Sequence, residues 1–250
     1  MFFIIKSDFI KEKAQVYLKK SKSIISILLS ILSIIFLSPI SFANKLTFPM
    51  KIQEIFPDEN FAIAIKQHLK KSSINDYVNQ DELNSIEKFD YRMNNKISIN
   101  IEGIQYLNDL KYCAIIGCQL TDIGRLSQLT KLSTLFLSYN CLFDLTPLSN
   151  LNNLTHLELS NNQISNLQPL SSLNNLCWLE IAQNQIEDIS PLKRLKKLKT
   201  LNIVGNPADY TQLASLKGLR IFYLDPQNMS NTYLSPGSKP NFIWRLFGWS

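Results

Sequence analysis

What this sequence lacks narrows its function before any motif is found. Its four cysteines, Cys113, Cys118, Cys141 and Cys177, show none of the spacings that hold a metal. Their separations suggest no disulfide framework either, and two fall where side chains point inward and serve as core fillers. A basic surface is missing as well. The formal charge is +6, but residues 1–43 hold six lysines against Asp8 and Glu12, leaving 20 basic and 18 acidic side chains beyond them. That balance gives no footprint for nucleic acid. Long apolar runs are few as well: Ile24–Leu37 has 14 residues, short for a span, which needs about 20.

That run instead reads as the core of an export signal. Lysines precede it, Pro39 ends it, and Ser41-Phe42-Ala43 places small residues before a cleavage point that would leave Asn44 first. Residues 1–43 are therefore expected to be a cleaved signal peptide, and the protein secreted or extracytoplasmic. An uncleaved membrane anchor is the alternative.

From Leu107 the chain repeats itself. Leu151-Asn152-Asn153-Leu154-Thr155-His156-Leu157-Glu158-Leu159 is matched 22 residues later by Leu173-Asn174-Asn175-Leu176-Cys177-Trp178-Leu179-Glu180-Ile181. Rows begin at Leu107, Leu129, Leu151, Leu173, Leu195 and, one residue early, Leu216. The shared pattern L-x-x-L-x-x-L-x-L-x-x-N-x-I-x-x-I-x-P-L is a leucine-rich repeat. The spacing predicts an α/β-type solenoid over residues 101–225, with a parallel sheet on its concave face and irregular or 3-10 structure on the convex side. Within each row the seventh and ninth residues point inward from a short strand. The twelfth (Asn140, Asn162, Asn184, Asn206, with Cys118 in the first row) turns in to satisfy backbone groups at a bend. Pro147, Pro169 and Pro191 start the return turns.

An exposed solenoid end needs a polar-backed cap. Residues 44–100 supply one: a linker to Phe56, a helix capped by Asp58 or Asn60 with Phe61, Ile65 and Leu69 as its stripe, and a second helix after Asn79. Residues 226–250 form a C-terminal cap or flexible tail. Its aromatic end, Phe242 to Trp249, is suited to folding back over the last rung or to meeting a membrane or partner.

Spacing also gives the outward positions. The sixth place holds Tyr112, Thr134, His156, Trp178, Thr200 and Ile221; the eighth holds Ala114, Phe136, Glu158, Glu180, Asn202 and Tyr223. The edge row at the tenth is Ile116, Ser138, Ser160, Ala182, Val204 and Asp225. Tyr112, Phe136, Trp178 and Tyr223 form an aromatic set on one face, the residue type that dominates binding hot spots. With His156, Glu158 and Glu180 they are the candidate partner-binding surface. Carboxylates in neighbouring rows lie about 5 Å apart, a separation found in retaining glycosidases, and an acidic pair with a histidine resembles part of a metal site. An open face with no third ligand argues against both, so no catalytic residue, metal or cofactor is assigned. Lys193, Arg194, Lys196, Lys197 and Lys199 form a basic cluster read as a solvated surface away from the sheet.

Cap and rows together resemble the internalins. The resemblance rests on Ile52-Gln53-Glu54-Ile55-Phe56-Pro57-Asp58, on Val78-Asn79-Gln80-Asp81-Glu82-Leu83-Asn84-Ser85-Ile86, and on Ile101-Glu102-Gly103-Ile104-Gln105-Tyr106-Leu107. The row segment Ile186-Glu187-Asp188-Ile189-Ser190-Pro191-Leu192 is similar too. It implies an exported bacterial protein, monomeric, whose concave sheet binds another protein, often on a host cell, so that the chain is a virulence-factor candidate. No wall-sorting motif, sheet-rich domain or run of GW modules follows the rows. A membrane-tethered envelope protein, or a binding subunit resembling the phosphatase regulators with 22-residue repeats, is the alternative.

Overall fold

The computed structural model describes residues 48–93, 98–216, 218, 219 and 221–223. The expected signal peptide (1–43) and the tail (226–250) lie outside the described residues. Strand β1 (Met50–Lys51) runs into the one-turn helix α1 (Ile52–Ile55), followed by α2 (Glu59–His68), β2 (Tyr77–Val78) and α3 (Gln80–Asn84). Then come the sheet strands β3 (Lys88–Arg92), β4 (Tyr112–Ile116), β5 (Thr134–Phe136), β6 (His156–Glu158), β7 (Trp178–Glu180), β8 (Thr200–Asn202) and β9 (Ile221–Tyr223).

The helices of the cap form for local reasons. Asp58 caps α2 by accepting from the Phe61 N–H at 2.9 Å, and its other oxygen accepts from the Asn100 N–H, also at 2.9 Å. Asn79 and Glu82 form a reciprocal capping box on α3. Phe61 and Ile65 are buried as their spacing predicts, while Leu69, at the C-cap, is half-buried. Residues 50–56 are more than the linker expected from sequence. β1 pairs antiparallel with β2, and Ile52, Ile55 and Phe56 are buried. Elements of two and four residues are too short to show a period, which is why spacing missed them.

Phe89 joins cap to sheet. Its ring lies 5.4 Å from that of Phe61, which is 5.5 Å from that of Phe56, both edge-on. Gly103 lets the first row close against this cluster. A Cβ there would sit 2.4 Å from the Ile55 carbonyl and 2.5 Å from the Phe56 ring, and its φ of +99° is glycine's own region.

β3 to β9 make a parallel sheet in sequence order. Register advances by 22 residues through Tyr112, Thr134, His156, Trp178 and Thr200, then by 21 to Ile221. The sheet begins one strand before the first full row, because β3 lies among the residues grouped with the cap. Its alternation Lys88-Phe89-Asp90-Tyr91-Arg92 is a sheet signal, but it pairs with β4 at an offset of 24, outside the 22-residue frame. Behind the sheet, 3-10 turns return the chain. Pro147, Pro169 and Pro191 stand in the first turn of Thr146–Leu148, Gln168–Ser172 and Ser190–Arg194, where their missing N–H costs nothing.

The asparagines knit the rows together. Asn162 accepts from the Leu142 N–H at 3.0 Å and donates to the Leu137 and Leu159 carbonyls, both at 3.0 Å. Asn184 and Asn206 repeat the arrangement on the rows before them. Asn140 does the same and takes a second N–H, that of Cys118. The residue ahead of each bend, Gly117, Tyr139, Asn161, Gln183 or Gly205, is left-handed. Asn162→Ala strips the buried Leu142 N–H of its acceptor and removes one of the two amide donors from each of the Leu137 and Leu159 carbonyls, so it should destabilise by about 2 kcal/mol. In urea unfolding, exposed Gln163→Ala should cost less than about 0.5 kcal/mol. Equal losses would mean that the ladder carries no special share.

Candidate functional site

The concave face is built by the pleat: with Leu135, Leu157, Leu179 and Leu201 fully buried, their strand neighbours project the other way. Across β4 to β7 this gives one aromatic shelf. The Tyr112 and Phe136 rings are 5.6 Å apart at 78°, and Phe136 lies 5.8 Å from Trp178. The exposed His156 continues it, 6.1 Å from Trp178, with Nδ1 2.9 Å from the Thr155 hydroxyl. Tyr112, Phe136 and Trp178 are half-buried, each sheltering an edge of the next. Tyr223 sits in register with Asn202 on β9, but its side chain lies outside the described residues.

One end of the face is closed by groups that the repeat spacing did not supply. On β3, Arg92 makes a two-point pair with Asp90, at 2.7 and 3.1 Å, and reaches the Tyr112 hydroxyl at 3.4 Å. The Lys88 ammonium lies 4.7 Å from the centre of the Tyr112 ring. Burial and the Asp90 carboxylate raise the Tyr112 phenol above its usual range.

The middle of the sheet is acidic. Glu158 and Glu180 face each other in register on β6 and β7, both half-buried. Burial, and secondarily Glu158, raise the Glu180 carboxyl above the usual 4.5, against a smaller opposing hydrogen bond with Asn202. Among the described residues no lysine, arginine or histidine forms an ion pair with either carboxylate.

Some outward positions differ from expectation. Ala114 is fully buried, and Ser138, Ser160 and Ala182 are 2%, 6% and 9% exposed. A small side chain at these places is overlaid by its larger neighbours, so pleat direction alone overstates access. Ser160 Oγ is buried with no hydrogen-bond partner. The residues 193, 194, 196, 197 and 199 of the basic cluster are all exposed; Lys196 donates to the Lys193 carbonyl and Lys197 to Asn175 Oδ1. Tyr139 and Phe143, missed by strand spacing, are 63% and 62% exposed beside the bends.

Two of the thiols, Cys113 and Cys118, are poor nucleophiles. Burial pushes Cys113 up to about 12 and Cys118 up to about 11. Among the described residues no set of three or more His, Cys, Asp and Glu side chains is placed to hold a metal.

Glu180 yields a measurable consequence. Its carboxyl is raised in the folded state, so the native chain holds its proton longer than the unfolded chain. Stability is therefore lost as pH rises through the interval above 4.5. Glu180→Gln should be more stable than the parent at neutral pH, by up to about 0.5 kcal/mol after solvent screening. The difference should close as pH falls to the ordinary glutamate value. A parent that is the more stable at neutral pH would contradict this.

Comparison with known proteins agrees with this architecture. Residues 42–84 match the family described as bacterial adhesion/invasion protein N terminal, and residues 174–220 match leucine-rich repeats. Internalin C of Listeria monocytogenes is 36% identical over 69 residues, which are 28% of this chain and 23% of that protein. The crystal structure of an internalin, inlF, from Listeria monocytogenes superposes with a TM-score of 0.60 at 33% identity. It covers 74% of this chain and 60% of that one. Listeria monocytogenes InlP, at 19% identity and a TM-score of 0.52 over 72% of this chain and 60% of its own, shares the fold. The chain thus covers less than two thirds of these relatives.

Proposed function

We propose that this chain, an internalin-like leucine-rich repeat protein, is exported and binds another protein through its concave face. The observation that carries the reading is the shelf of Tyr112, Phe136 and Trp178. Three large aromatic rings stand half in water on one face, in contact across four strands, while the leucines beneath them fill the core without their help. Rigid aromatics on a preformed surface bury much area at low entropic cost on association. The acid pair beside them lies on the same face, in register on neighbouring strands, and in this reading it serves recognition.

Export is supported by the sequence of residues 1–43 and by the match of the following region to adhesion and invasion proteins. A host-cell protein is the partner class this reading favours. The partner's contact covers Phe136, Trp178 and the adjoining Tyr112, His156, Glu158 and Glu180, with Tyr223 extending it along the sheet.

Two measurements test the reading. Intact mass of the protein in medium, envelope and cytosol of its own cells should find a released species beginning at Asn44. A full-length, membrane-held species would make residues 24–37 an anchor and move the partner to the envelope. Phe136→Ser with Trp178→Ser should abolish capture of a purified partner while the fold persists. Each change costs only about 1 kcal/mol, since each ring is already partly in water. Undiminished binding by the double variant would remove the concave face from the proposal.

A further inference from the structure

We propose that the partner inserts an arginine between Glu158 and Glu180 and lays an adjacent apolar side chain on Phe136 and Trp178. This deepens the concave-face reading and rests on it.

Charge bookkeeping on the face leads there. The cations at the β3 end are already answered: Arg92 by Asp90, and Lys88 by the Tyr112 ring. Acids near the strand entries are answered as well, Glu87 by Lys111 and Asp109 by Lys131. Glu102 likewise meets Arg125. Glu158 and Glu180 break this pattern. They lie in register on adjacent strands, half out of water, with no cation against them among the described residues.

Glu180 meets the Asn202 side chain but, among the described residues, no cation. Folding thus leaves two adjacent carboxylates without a counter-charge beside an aromatic shelf, where a cationic group of the partner would answer them.

The guanidinium fits better than the ammonium. Its planar fork presents donors to two carboxylates at once, and its face stacks on aromatic rings. Trp178 precedes Glu180 by two residues on β7 and is in contact with both Phe136 and His156. A side chain entering from the concave side thus meets ring and carboxylate together, the arrangement in which cation–π contact adds to an ion pair. Burial under the partner also strengthens the attraction by excluding water.

The experiment pans a random linear peptide library on the full chain and titrates the enriched peptides by calorimetry. Enriched sequences should share an arginine next to an apolar residue. Replacing that arginine by citrulline, or Glu158 and Glu180 by Gln, should each weaken binding about tenfold or more. Doing both should cost little beyond either, and affinity should fall with added salt. Gln is isosteric and removes repulsion, so loss of fold does not mimic the result. Peptides sensitive to Phe136→Ser with Trp178→Ser but not to the Gln changes would overturn the arginine and leave the concave face standing. Peptides insensitive to both, or no enrichment at all, would count against both readings. Equal binding with lysine in place of arginine would overturn the guanidinium assignment.

Discussion

No row of this protein can satisfy its own bend alone. The chain turns sharply after each strand, and the turn leaves backbone N–H and C=O groups facing a core of leucine. The asparagine of the following row and the row's own together complete each bend, one amide serving both kinds of group. Position twelve therefore carries a polar residue at a depth where the rest of the row is aliphatic. The sheet, the convex turns and the spacing of the outward residues all follow from rows being held in that step. The constraint is local in chemistry and long-range in effect.

The same step brings function within reach. Parallel strands a fixed distance apart place the sixth and eighth side chains of successive rows side by side, so distant residues such as Tyr112 and Trp178 belong to one surface. Nothing in the core asks for tyrosine, phenylalanine or tryptophan there. The solenoid supplies rigidity, and the outward positions are left to set which molecule is held.

Much of this was legible in the sequence because it is periodic. Leucines at 22-residue spacing, the asparagine at place twelve and the prolines of the return turns each have one structural meaning. The candidate surface followed from counting along the strands. What escaped counting was aperiodic: the short β1 and α1, and β3, whose offset to β4 is 24. With β3 went Lys88, Asp90 and Arg92, which close one end of the face. Access was also misjudged where size matters more than direction, as at Ala114 and Ser138, which larger neighbours cover. Tyr139 and Phe143 stand beside the bends, where no strand rule applies.

Asn140, Asn162 and Asn184 each bond to the row before and to their own row. A whole 22-residue unit can thus be copied or deleted within the array with every amide still finding its partners. Lineages can change the length of such a protein in single genetic steps without relearning how to fold. Such a step would not be silent on the concave side. One unit placed between β4 and β5 would carry both carboxylates away from Tyr112 by about 5 Å. Row number is then a heritable dial on the geometry of recognition, independent of any point mutation.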